Sequence, residues 1–124
     1  MQFLLLIYND PERLEALPEG EYDAMMRGCL RHADEMRARG ELLDSKQLHD
    51  ARGARSVRIR DGRTQVMDGP FAETRELLGG FNVIEAADMD EAVRMATEFP
   101  WARTGCVEVR AIGDMEAERR RVGA

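Results

Sequence analysis

Phe3-Leu4-Leu5-Leu6-Ile7-Tyr8, closed by Asn9-Asp10-Pro11, decides how the rest of this chain has to be arranged. Six apolar residues are short for a buried helix, and the Asn-Asp-Pro stop is a turn signal, so the run reads as a β-strand. Side chains alternate across a strand. Phe3, Leu5 and Ile7 therefore lie on one face, and Leu4, Leu6 and Tyr8 on the other. Both sets are apolar, so both faces need cover, which makes the strand central in its sheet. The run is also too short for a leader, whose apolar core has about 7–15 residues behind a basic start, or for a membrane span of about 20. A cytoplasmic protein is expected, with no membrane partner.

Working outward, Asp10-Pro11-Glu12 starts a helix, with an Asp cap, Pro at the first position and an acid in the first turn. Pro18 ends or restarts it. From residue 19 to residue 39 the pattern is helical, with Tyr22, Met25, Met26, Cys29, Ala33 and Met36 on one face and Gly40 as the stop. Such a methionine stripe is adaptable core rather than a cofactor box. Residues 42–48 form a weaker strand. Residues 56–60 and 64–67 alternate around Asp61-Gly62, a hairpin signal, with Arg58 and Arg60 on the polar face. Gly79-Gly80 precedes a strand at 81–86. Asp88 and Glu91 make a capping box for a second helix, with Ala92, Val93, Ala96 and Phe99 inward and Pro100 at its end. Residues 105–112 are the last strand.

The resulting fold class is α+β, a ferredoxin-like β-α-β-β-α-β subunit with a β-hairpin insert. One domain spans 1–112, followed by a charged C-terminal tail at 113–124. Two helices cover only one face of such a sheet. The economical cover for the other is a second copy, so a two-fold homodimer with sheets face to face is expected.

Composition narrows the function. With 44% hydrophobic and 34% charged residues, the 124-residue chain is neither disordered nor fibrous. Its 18 basic and 24 acidic residues leave a net charge of -6, which repels phosphate backbones, so no direct nucleic-acid partner is expected. The basic run Arg119-Arg120-Arg121 follows Glu116 and Glu118 and reads as a solvated helix end. Two cysteines, Cys29 and Cys106, stand too far apart for a metal motif. Neither a metal site nor a cofactor is expected, and the thiols read as reduced.

The most distinctive stretch is Asp68-Gly69-Pro70-Phe71-Ala72-Glu73-Thr74-Arg75-Glu76-Leu77. Asp68 can accept from amides two residues on, Gly69 permits an unusual φ, and Pro70 stiffens the exit. Phe71 can plug an apolar hole. Residues 72–78 then read as two helical turns stopped by Gly79-Gly80. This stretch resembles the DGPF-motif branch of the YCII-related family. The resemblance extends to Leu5-Leu6-Ile7-Tyr8, Arg60-Asp61-Gly62, Gly79-Gly80-Phe81 and Val107-Glu108-Val109-Arg110. It implies a dimeric α+β barrel of ferredoxin-like subunits. It also implies a regulatory link, since members of that branch are associated with extracytoplasmic-function sigma factors. Relatives that look like enzymes use a His on the first helix and an Asp just after the second. Counting from Gly40 and Pro100, those positions here are Cys29 and Phe99, so that acid–base dyad does not carry over.

The candidate site residues follow. His32, at the edge of the apolar helix face, could act as a general base, or is a satisfied boundary residue. Asp68 is the best acid of the turn, with Glu73 and Glu76 near it, although first-turn acids also simply suit a helix start. Tyr8 ends the first strand with its hydroxyl available to a cleft. Arg110 shares a face with Glu108 and could hold an anionic group, or be half of a structural ion pair. Cys29 reads as small core, and His49 as exposed. The leading expectation is a small-molecule ligand held in a cleft between the sheet and the DGPF loop. Asp68 and His32 would be catalytic there, in lyase- or isomerase-like proton transfer, and Tyr8, Gly69, Pro70, Phe71, Glu73 and Arg110 would bind. The alternative is a non-catalytic module that meets a sigma factor.

Overall fold

A computed structural model describes residues 1–69 and 75–124. Strand β1 (Gln2–Asn9) is followed by a short helix α1 (Pro11–Glu15) and the long helix α2 (Glu21–Ala38). Strand β2 (Leu42–Gln47) leads to the hairpin β3 (Arg55–Arg60) and β4 (Arg63–Asp68). Then come β5 (Leu77–Glu85), α3 (Met89–Thr97), a 3-10 turn (Pro100–Arg103), β6 (Gly105–Ala111) and α4 (Met115–Val122). The main sheet has the order β2-β5-β1-β6 with antiparallel neighbours, which is the ferredoxin-like arrangement. No described helix is long and apolar enough to cross a membrane.

Local chemistry explains the helix ends. Asp10 caps α1 by accepting from the Glu12 amide at 3.0 Å, and Asp88 caps α3 by accepting from the Glu91 amide at 2.8 Å. The hairpin turns on Asp61 and Gly62, with φ of 52° and 72°, the paired left-handed conformation that suits the twist of the flanking strands.

Burial then sorts the faces. Phe3, Leu5 and Ile84 point toward α2 and α3 and pack on Met25, Ala33, Met36, Ala92, Met95, Ala96, Phe99 and Trp101. Leu5 is fully buried, and truncating such a residue to Ala costs about 2–5 kcal/mol. On the opposite face, the register aligns Leu4 with Val83 and Arg110, and Leu6 with Phe81 and Glu108. No helix of this chain covers that face among the described residues, and Leu4, Leu6, Phe81 and Val83 stay half-buried.

Two expectations need correction. First, residues 77 and 78 are strand, not helix: β5 starts at Leu77, and Gly79-Gly80 lie inside it. Gly79 is an extra residue where Ile7 pairs with Gly80 and Tyr8 with Leu78. A Cβ at Gly80 would stand 2.7 Å from the Lys46 carbonyl oxygen, so the pair serves close strand approach rather than helix termination. Residues 70–74 lie outside the described residues. Second, Val93 is exposed and Met95 takes the inward place. Three, four and seven residues beyond Ala92 come Met95, Ala96 and Phe99, whereas Val93 is rotated off that stripe. The tail is helical, as the basic helix end at 119–121 suggests: α4 is capped by Asp114, which accepts from the Ala117 amide at 3.0 Å, and by Gly123 at φ 73°.

Candidate functional site

The helix layer does not seal against the whole sheet. Between α2 and strands β2, β5 and β1 there is a cavity of about 300 Å³. Helix α2 supplies Tyr22, Met26, Cys29 and Ala33, which recur at steps of four, three and four and so share one face. The sheet floor supplies Ile7, Asn82, Gly79 and Gly80. A Cβ on Gly79 would collide with the Asn9 side-chain amide, which also lines the cavity. Phe99 and Trp101, carried by the turn after α3, close one end. Trp101 and Tyr22 stack at a tilt of 42° with centroids 5.8 Å apart. A pocket this size, mostly apolar with a few convergent polar groups, has the character of a small-molecule site.

Among the polar side chains of the lining, Asn9 and Gln47 stand beside others that pair within the chain. Ser45 donates its hydroxyl to Asn82 Oδ1 at 2.6 Å. At the rim, Arg37 lies 3.5 Å from Asp34. Burial pushes the Cys29 thiol above its ordinary pKa, and the Trp101 indole pulls it only partly back. Cys29 is thus a neutral thiol at physiological pH and a poor nucleophile. A second, more open cavity of about 560 Å³ lies beyond Cys29 and Phe99, lined also by Met25, Gly28 and Arg103. Cys29 and Phe99 border both spaces. These are the two positions at which the family resemblance expects a His and an Asp, and the fold brings them to one cleft. Among the described residues, no group of three or more His, Cys, Asp or Glu side chains is placed to hold a metal ion.

The residues picked from sequence fall in three places. Tyr8 and Arg110 are on the open sheet face, where the Tyr8 hydroxyl donates to Glu108 Oε1 at 3.2 Å. Burial, and then that carboxylate, raise the Tyr8 pKa, so its hydroxyl stays protonated. His32 sits between α2 and α3, edge-on to Phe99 with centroids 5.3 Å apart. Its Nε2 lies 3.0 Å from Glu98 Oε2, an ion-pair distance when the ring is protonated, but without hydrogen-bond alignment. Asp68 is at the base of the hairpin, 3.2 Å from Arg55. Gly69 follows it with φ 85°, donates its amide to the Ala54 carbonyl at 2.7 Å, and accepts from the Ser56 hydroxyl at 3.0 Å. None of these five lines the 300 Å³ cavity. Pro70, Phe71 and Glu73 lie outside the described residues.

What sequence reasoning missed are Asn82, Ser45 and Trp101. Asn82 did leave a trace: it is polar at an inward position, two residues before the fully buried Ile84. Ser45 left none, because its partner is 37 residues away.

Two comparisons bear on identity. The family model described as the YCII-related domain matches residues 1–116. An uncharacterized protein of Rhizobium meliloti (strain 1021) is 36% identical over 114 residues, covering 90% of this chain and 92% of that protein.

Proposed function

The chain belongs to the YCII-related family, and on that premise we propose that it is a homodimer whose subunits each bind a small organic molecule in the cleft between α2 and the sheet. The observation that carries this is the 300 Å³ cavity, walled by Tyr22, Met26, Phe99 and Trp101 and floored in part by Gly79 and Gly80. Apolar walls drive a ligand in, and a few fixed polar groups orient it. Cys29 and Phe99 stand at the cleft where enzyme-like relatives are expected to carry an acid and a base. Neither exchanges a proton at neutral pH, so binding rather than lyase- or isomerase-like turnover is the function the geometry favours.

The homodimer reading rests on the open sheet face. Leu4, Leu6, Phe81 and Val83 form an apolar band there, flanked by Glu108 and Arg110 on one side and Asp44 and Lys46 on the other. Such a band, with mixed charge at its margins, suits an isologous contact.

The test uses the single tryptophan. In a nitrogen-15 spectrum, Trp101 contributes the one indole N–H signal, and it sits in the cleft wall. Screening a library of aromatic and aliphatic fragments against the dimer should yield ligands that move this signal together with the amides of Cys29 and Ile7. A library that moves none of the three overturns the reading.

A further inference from the structure

Three polar side chains are buried among the described residues: Asp10, Asn82 and Thr104. Only Asn82 lines the cavity. It lies mid-strand on β5, opposite Leu5 on one side and Ser45 on the other, and is 5% exposed. A carboxamide has two acceptor sites on oxygen and two N–H donors on nitrogen. Here the Ser45 hydroxyl occupies Oδ1 at 2.6 Å, which fixes the amide so that Nδ2 is its free end. Nδ2 has no hydrogen-bond partner among the described residues, it is not one of their fully enclosed unpaired atoms, and Asn82 lines the cavity. Buried polar groups in folded proteins are almost always paired, and an apolar residue would pack such a floor better. A donor held in place by a dedicated second hydrogen bond and left open toward a pocket is arranged for something outside the chain.

We infer that Asn82 Nδ2 is the recognition donor of the cleft, and that the ligand is a flat, mostly apolar molecule whose neutral carbonyl oxygen accepts from it. This rests on the cleft being a binding site, as proposed above. The acceptor belongs to the ligand, since the end of the amide left without a partner is the N–H-bearing Nδ2. The flat body follows from the walls, where the Trp101, Tyr22 and Phe99 rings and the Met26 side chain present mostly apolar surface. Neutrality follows from charge. The rim cation Arg37 already pairs with Asp34, and the register turns Lys46 to the opposite sheet face, so a carboxylate on the floor would be desolvated against one amide alone. Ser45 acts through Asn82 and is a positioning residue.

The experiment titrates the intact protein with two matched pairs, acetophenone against ethylbenzene and 1-tetralone against tetralin, together with benzoate. The readouts are the Trp101 indole and Asn82 side-chain amide signals. Each ketone should bind about tenfold or more tightly than its hydrocarbon partner, the usual cost of leaving a buried donor unpaired. Only the ketones should shift the Asn82 amide protons downfield. In Asn82→Leu the ketone preference should vanish while the hydrocarbons still bind. Ser45→Ala, which leaves the strand pairing intact, should narrow the preference should Asn82→Leu fail to fold. Equal binding of ketone and hydrocarbon overturns the role of Asn82 and leaves the cleft standing. Tightest binding by benzoate overturns the neutral-carbonyl class. If no compound moves the Trp101 signal, the cleft reading falls and takes this inference with it.

Discussion

Ser45 on β2 and Asn82 on β5 face one another across the strand pair, with the Ser45 hydroxyl 2.6 Å from Asn82 Oδ1, on the side of the sheet that α2 covers. The bond spans 37 residues and ties an edge strand to a central one at the cavity floor. Removing it with Ser45→Ala should lower unfolding free energy by about 1 kcal/mol, since Asn82 Oδ1 then lacks its partner. Urea denaturation checks this, and an unchanged midpoint would mean the bond contributes nothing to folding.

Gly105 opens β6 where that strand pairs with β1, and a Cβ there would run into the Tyr8 carbonyl oxygen. The obstacle is backbone, which cannot rotate away. Gly105→Ala should therefore destabilise by about 3 kcal/mol or more, in the range reserved for steric conflict inside a sheet. Gly113→Ala, whose Cβ would meet open space, is the control and should stay within about 0.5 kcal/mol of the parent.

Asp10 has two tasks. It caps α1 through the Glu12 amide, and its buried carboxylate lies 3.4 Å from Arg75 and 3.6 Å from Arg13. Asp10→Ala removes both and should cost about 2 kcal/mol. Asp10→Asn keeps the cap and loses only pairs whose arginines are largely exposed, so it should cost under about 1 kcal/mol. Equal losses in thermal or urea unfolding would show that the ion pairs, and not the cap, carry the effect.

The Arg52 side chain, and then its backbone amide, hold the Asp50 carboxylate at a pKa of about 2, below the ordinary 3.8. The folded value is depressed, so this contribution is present above pH 3.8 and is lost as the pH falls toward 2. Carboxyl-detected NMR titration should find the low midpoint, and Arg52→Ala should bring it most of the way back. A midpoint near 3.8 in the parent protein would mean that the pair does not persist in solution.

Leu6 lies in the middle of the open sheet face, between Phe81 and Glu108. Leu6→Glu would place a charge at the centre of the proposed contact. It should convert a dimer to a monomer in light scattering, with near-ultraviolet circular dichroism retained, because the helix-side core is untouched. A variant that remains dimeric would put the contact elsewhere.

The fold was legible because its decisive signals are local. The strand 3–8, the Asp10 and Asp88 caps and the Asp61-Gly62 turn each depend on neighbours a few residues away. Where reading went astray, a distant contact had overridden a local preference. Gly79-Gly80 looks like a helix stop, but it sits in a strand, where the Lys46 backbone carbonyl stands too close to Gly80 for a Cβ. Val93 looks apolar and inward, but the stripe that meets the sheet runs through Met95 instead.

The candidate site was less legible, since chemical plausibility residue by residue does not predict convergence. Tyr8 and Arg110 are on the open face, His32 between the helices and Asp68 on the hairpin, although each is a reasonable acid, base or donor taken alone. By itself the sequence determined the order of the main-sheet strands and the two helices that cover them, the ferredoxin-like plan and the presence of a sheet face with no helix to cover it, because alternation, capping and turn chemistry act over a few residues. Only the tertiary structure decided which side chains share a cavity. Ser45, Asn82 and Trp101 meet through strand register and helix packing, and those are set by contacts between residues far apart in the chain.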